Sequence, residues 1–402
     1  MLAREAALRH GADAKTMERS HHQWLEQVFF RQHLRCTRAV MRALGPAPRR
    51  VLEHALGLVA LGACGLVVYL HGTYVARTGA PLAVELRAAA AALGANRSVF
   101  AVNVVVSDGP GACAVDGAAD AACAPDEASY WFSRDRGVVA LGDVARRDLR
   151  VPAATVRCGS GGFGGPRWAL AVAGADAAVA NAAVAAVGPR GYVRSERSNE
   201  FYDLARAERA APFTRGALAQ ALTVSLKTLF LIFATSTLVS YTLRETQARM
   251  LRFAFELKEN IGDNRAYLSL VASHLLDSAV FAPIMIGMMA FLFEFFADQV
   301  LGLLVLTLAW GAELFAAVSL RSRRALDHLP RLLVLYLAAL HVYLFKFPFG
   351  FKYVALLAAI AAIGHAMLLF WDRFEVPALR RGDVSVTNLR EIPRRRRRGG
   401  DG

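Results

Sequence analysis

The sequence lacks the signatures that most readily announce an enzyme. Its one glycine-rich run, Gly159 to Gly165, has neither the Lys-Ser/Thr that completes a phosphate-binding loop nor the GxGxxG spacing of a dinucleotide fold, so it reads as a flexible connection. No catalytic constellation stands out around it. Cysteine is scarce, five in 402 residues, which excludes a disulfide-dense scaffold. A cleavable leader is not expected, because the first apolar run follows some fifty polar and basic residues. Aromatic residues are missing around the run Arg394 to Arg398, which argues against nucleic acid as the partner of a chain with a formal charge of +14.

What the sequence does have is long apolar stretches. A helix needs ~20 mostly apolar residues to cross the hydrocarbon core, and six stretches qualify: Ala55 to Val75, Gly216 to Leu243, Tyr267 to Phe296 with Pro283 inside it, Val300 to Leu320, Leu332 to Phe347 and Tyr353 to Trp371. The Ala-rich stretch Trp168 to Val187 is set aside as soluble, because it carries Asp176 and Asn181 and alanine contributes little to insertion. The arginines explain the charge. Arg38, Arg42, Arg49 and Arg50 precede the first span; Arg244, Arg249, Arg252, Lys258 and Arg265 fall between the second and third; Arg321, Arg323, Arg324 and Arg331 fall between the fourth and fifth; Arg373, Arg380, Arg381 and Arg394 to Arg398 follow the sixth. Six crossings bring all these clusters to one face, so both termini are expected in the cytosol.

The expected fold is an α-helical polytopic membrane protein of about six transmembrane helices, with a mostly β (α+β) luminal domain inserted between helices 1 and 2. Its expected segments are a basic cytosolic arm (1–53), helix 1 (54–76), the luminal domain (77–215), helix 2 (216–243), an amphipathic connector (244–266), hairpin 3–4 (267–320), a basic loop (321–331), hairpin 5–6 (332–372) and an Arg-rich tail (373–402). In the arm, Trp24, Leu25, Val28, Phe29 and Phe30 form an apolar cluster suited to a membrane surface or a partner. Within the luminal domain, Val99 to Val106, Ser129 to Ser133, Val138 to Leu141 and Trp168 to Val172 read as strands and Ala175 to Val187 as a helix. Asn96-Arg97-Ser98 is the chain's only glycosylation sequon and lies in this domain. Cys113 and Cys123 are disulfide candidates enclosing a Gly/Ala/Asp-rich loop, with Cys158 either free or replacing one of them. Cys36 and Cys64 read as inert.

Ionisable residues inside hydrocarbon demand partners, since each costs at least ~2.5 kcal/mol on insertion scales. Lys227, Asp277, Glu294, Asp298 and Glu313 are therefore the candidates for contact within the bundle or with a client helix, Lys227 pairing with Asp277 or Glu313. A zinc site from Ser273, His274, Asp277, His341 and His365 would make the chain an intramembrane hydrolase, although the three histidines do not share a depth. An ion or solute transporter using Lys227 and the carboxylates is a further alternative, weakened by the lack of an evident inverted repeat. Arg394, Arg395, Arg396, Arg397 and Arg398 suit anionic lipid headgroups at ~1 kcal/mol per charge. A nuclear-envelope address is the other reading of that run.

Four stretches together resemble one family. The run Gly287-Met288-Met289-Ala290-Phe291-Leu292-Phe293-Glu294-Phe295-Phe296-Ala297-Asp298 with Ala309-Trp310 is similar to a hairpin of membralin, a multi-span protein of the endoplasmic reticulum. Pro46 to Val75, with Pro48-Arg49-Arg50, resembles the start of its first span, and Leu229 to Glu259 its second span and basic connector. Tyr336 through Phe349-Gly350, Tyr353 and His365 to Glu375-Val376-Pro377-Ala378 resembles its final hairpin. The resemblance implies a non-enzymatic scaffold in endoplasmic-reticulum-associated degradation, without a cofactor. Its implied partners are a membrane RING-type ubiquitin ligase, ubiquitin-like-domain membrane adaptors and membrane protein clients. Glu294 and Asp298 lie within the resembling hairpin.

Overall fold

The computed structural model describes residues 31, 33–76, 80–94, 99–107, 111–116, 127–166, 168–170, 174–207, 215–262, 268–296, 298–319 and 322–381. Asn96, Cys123, the Trp24 to Phe30 cluster and the Arg394 to Arg398 run lie outside these residues. Among the described residues six helices are long and apolar enough to cross a membrane, as a multi-pass membrane protein requires. By contact density it divides into two compact units, one of residues 1–61, 227–339 and 359–402, the other of 62–226 and 340–358.

The spans follow the apolar runs, with extensions that have local causes. The first helix, Pro46–Leu70, opens with Pro46 and Pro48, which suit a first turn because its N–H groups lack helical partners, and continues as a π turn over His71–Val75. The second differs most from expectation. Arg215–Gly262 is one helix of 48 residues, so the connector is not a separate element but the continuation of the span. No glycine or proline interrupts Ala217 to Ile261, and Gly262 ends it. The third helix is Leu268–Phe293, with Pro283 inside it, and the fourth is Gln299–Ser319. Helix five, Arg323–Lys346, starts nine residues before the apolar run, because the Ser322 hydroxyl accepts from the Ala325 N–H at 3.4 Å and caps the charged first turns. The sixth, Lys352–Phe370, runs into a second π turn, Trp371–Glu375, and a short final helix, Val376–Arg381.

The part between the first two spans is α+β. Its mixed sheet has strands β1 (Ala101–Val106), β2 (Ala114–Asp116), β3 (Ala128–Ser133), β4 (Ala153–Cys158), β5 (Tyr192–Ser195) and β6 (Phe201–Asp203), in the order β2-β4-β1-β3-β5-β6. Among the described strands, β1 and β4 alone pair in parallel. One face carries Phe100, Val102, Val104, Tyr130, Phe132 and Val156 into the main core. The helix Asp176–Val187 joins that core, as expected, together with a helix over Pro81–Ala92 that the alanine-rich sequence did not announce.

Two expected strands are not formed by the described residues. Val138 to Leu141 lies mostly in a helical turn, Arg136–Ala140, capped by Asp135, whose side chain accepts from the Gly137 N–H at 2.7 Å. Val138 and Val139 still bury against Ala101 and Trp131, so tertiary burial overrode their β preference. Residues 168–170 are helical, and 171–173 lie outside the described residues. The disulfide also differs. Cys113 is bonded to Cys158, not to Cys123. Antiparallel pairing of Ala114 with Arg157 sets Cys113 directly opposite Cys158 at the next position, which sequence spacing alone did not reveal.

Candidate functional site

Two clusters of polar and aromatic groups organise the two units, and the stretches that resemble membralin supply most of both. In the first unit, the start of the first span meets the π turn that ends the sixth. Arg49 and Glu53, one turn apart, face Asp372 and Arg373, so the signs alternate across the contact. Arg49 Nη1 lies 2.7 Å from Asp372 Oδ1, and Glu53 Oε1 lies 2.5 Å from Arg373 Nη2. Arg49 is 3% exposed and Glu53 1%, whereas the Arg373 side chain is half exposed. The Arg49 guanidinium is also 5.9 Å from the Trp371 ring. Glu375, fully buried, accepts from the Ser322 N–H at 2.9 Å and its hydroxyl at 2.8 Å, tying the start of the fifth helix to the same corner.

Ions buried this deeply cost several kcal/mol each unless paired, so the cluster fixes three chain segments in one arrangement. Further along the first helix, a Cβ on Gly57 would come within 3.0 Å of the His365 ring, so glycine lets the sixth helix approach closely.

In the second unit, the loop between the fifth and sixth spans enters the core of the α+β fold. Phe349 and Phe351 are buried there. Asn181 donates to the Phe349 carbonyl at 2.8 Å, the Tyr202 ring meets Phe349 edge-on, and Phe347 packs against His71 with centroids 4.3 Å apart. The Phe351 N–H donates to the Tyr343 hydroxyl at 3.2 Å, and a Cβ on Gly350 would lie 3.0 Å from that hydroxyl. Asp176 opens the same helix as Asn181 and accepts from the Tyr130 hydroxyl at Oδ1 and the Tyr202 hydroxyl, 2.9 Å away, at Oδ2. Burial, then the bond to Asp176, pushes the Tyr130 phenol far above the usual range; burial, then Glu200 and Asp176, does the same to Tyr202. Asp176 and Asn181 therefore do structural work in a folded domain.

The residues singled out from sequence fall elsewhere. Lys227, Asp277 and Glu294 have exposed side chains, and no ion pair joins Lys227 to Asp277 or Glu313 among the described residues. The antiparallel second and third helices account for this: Phe230 meets Phe295, while Arg249 reaches the Asp277 carbonyl, so Lys227 and Asp277 stand at opposite ends. Glu313 accepts from the Ser236 hydroxyl at 3.2 Å. Asp298 is a helix cap, accepting from the Val300 N–H at 2.9 Å and the Leu301 N–H at 3.3 Å.

His274 stacks on Phe253, His341 is buried beside Phe345, and His365 packs on Gly57. No three His, Cys, Asp or Glu side chains converge as a metal site among the described residues. Sequence reasoning missed Arg49, Glu53, Asp372 and Arg373. The available signal was charge of both signs within a turn or two of the ends of the first and last apolar runs.

A membralin-like protein of Arabidopsis thaliana is 36% identical over 264 residues, which cover 63% of this chain and 42% of that relative. The chain is similar to that membralin-like protein and spans less than half of its length. No family model matches the sequence, and no solved structure matches it. The segments whose sequence resembles membralin at the start of the first span and the end of the sixth meet in the ion cluster. The membralin-like Phe349-Gly350 is the part of the final hairpin seated in the α+β core.

Proposed function

We propose that this membralin-like chain is a non-enzymatic scaffold of the endoplasmic reticulum membrane, with both termini cytosolic. In that role it links a membrane RING-type ubiquitin ligase and ubiquitin-like-domain adaptors to membrane protein clients bound for degradation. The observation that supports it is that the family-like stretches form buried clamps: Arg49–Asp372 and Glu53–Arg373 in one unit, Asn181–Phe349 in the other. Residues used this way hold a rigid frame on which other proteins can assemble. The exposed side chains of Lys227, Asp277 and Glu294 are the contact candidates such a frame offers to clients.

A mild-detergent pull-down of the tagged chain from its own cells, read by mass spectrometry, tests the proposal. Recovery of a membrane RING ligase with ubiquitin-like adaptors, lost when the spans after Gly216 are replaced, is the expected result. A preparation without ubiquitin-system partners would overturn it. Glu294→Gln is expected to slow client turnover while leaving the abundance of the chain itself unchanged; unchanged turnover would remove Glu294 from the contact surface.

A further inference from the structure

The charged residues of the second and third helices fall at two levels. At one, Phe230 and Phe295 pack with centroids 5.5 Å apart; Lys227 lies one turn outward of Phe230 and Glu294 is next to Phe295, so both stand within about a turn of that contact. At the other, Arg249 pairs with Glu245 at 2.8 Å, donates to the Asp277 carbonyl at 3.3 Å and lies over the Phe281 ring at 4.1 Å. One turn further, Phe253 stacks on His274 with centroids 4.4 Å apart, which confirms the antiparallel register.

Between Lys227 and the Arg244 to Arg249 group on the second helix, and between Asp277 and Glu294 on the third, each helix has a charge-free window. Residues 228–243 of the second and 278–293 of the third are uncharged, sixteen residues each. At ~1.5 Å per residue each window is ~24 Å long, and Lys and Arg side chains reaching outward extend the span toward the ~30 Å of a hydrocarbon core. Phe233, Val280, Ile284, Ile286 and Phe291 are exposed within the windows, and Leu268, Leu275 and Leu276 are exposed on the third helix before its window.

We infer that Lys227 with Glu294 and Arg249 with Asp277 mark the phospholipid headgroup levels of the two leaflets. They are then not groups buried at mid-bilayer. It follows that residues 250–262 of the second helix and 268–276 of the third leave the hydrocarbon together, as a two-helix arm projecting ~20 Å on the arginine-rich side. Pairing Arg249 beside Asp277 holds the arm in register with the spans. This inference stands apart from the scaffold reading and rests on the helix register alone.

Full-length protein with Cys36, Cys64 and Cys123 replaced by alanine, reconstituted in phosphatidylcholine vesicles containing phosphatidylglycerol, provides the test. A nitroxide is placed at one of four exposed positions, Thr237→Cys, Ile286→Cys, Ala254→Cys or Ala272→Cys, and its collisions with oxygen and with a water-soluble nickel chelate are compared. Labels at 237 and 286 are expected to favour oxygen by at least tenfold over labels at 254 and 272, which meet the nickel chelate freely. Oxygen-dominated collisions at 254 or 272, or nickel-dominated ones at 237 or 286, would overturn the inference. Co-flotation of each labelled variant with the vesicles and an unchanged helical circular-dichroism spectrum report insertion and folding, and four sites on two helices keep the test independent of any one substitution.

Discussion

Asn181 donates a hydrogen bond to the backbone carbonyl of Phe349 across 168 residues of sequence, at 2.8 Å and fully buried. Its other bond, to the Ala177 carbonyl one turn back, aims the amide at that loop. Asn181→Leu keeps the volume but leaves the Phe349 carbonyl without this donor inside the core. The expected loss is ~1–3 kcal/mol of stability, read as a lower Tm of the detergent-solubilised protein. An unchanged Tm would show that the loop is held by its aromatic contacts alone.

The Glu53–Arg373 pair is asymmetric, and its variants should be too. Arg373 is half exposed and Glu53 is buried. Removing the arginine with Arg373→Met strands a buried carboxylate, at a cost of ~3–5 kcal/mol. Glu53→Gln leaves an arginine that water already solvates, so its expected cost is ~0–1 kcal/mol. Denaturation of the two variants side by side checks the order; equal losses would mean that the pair acts through shape rather than charge.

For the disulfide, peptide mapping without reduction is expected to recover Cys113 joined to Cys158. Cys158→Ser should destabilise the α+β domain by ~2–5 kcal/mol. Cys123→Ala should leave its stability unchanged. A Cys113–Cys123 peptide in the native protein would contradict the sheet register.

Tyr130 and Tyr202 give the domain a pH limit. Both phenols titrate far above the ordinary value in the folded state. A raised folded value means that the protonated phenol is favoured by folding, so the stabilisation is complete below ~10, where free tyrosine ionises, and is lost as pH rises beyond it. Alkaline unfolding followed by tyrosinate absorbance is therefore expected to begin above ~10, and Tyr130→Phe should shallow the slope. A flat stability profile through that range would count against the buried Asp176 bonds.

The spans were legible because length and hydropathy decide insertion almost alone. Helix ends were less so: the second helix runs on through Gly262 because nothing in Arg244 to Ile261 breaks it, although its composition changes from apolar to charged. Local pattern identified β1, β3 and the helix at Asp176, but β4, β5 and β6 are short and mixed, and Pro81–Ala92 is too rich in alanine to show a face. The ion cluster was not legible, since it needs residues 49 and 372 to meet. Polar residues inside apolar runs drew attention to Lys227 and Asp277, while the buried charges sat at the ends, where charge is unremarked.

The seating of Phe349 and Phe351 sets an order of events during synthesis. The last described residue of the α+β fold before the second span, Ala207, leaves the ribosome 142 residues before Phe349. At ~5–20 residues per second the interval is roughly 7–28 s. Through that time four further spans are being made, and the place that Phe349 will fill stands open. The domain is finished only when the final hairpin arrives, so a chain halted before the fifth span carries an incomplete core, recognisable as such by whatever inspects nascent proteins.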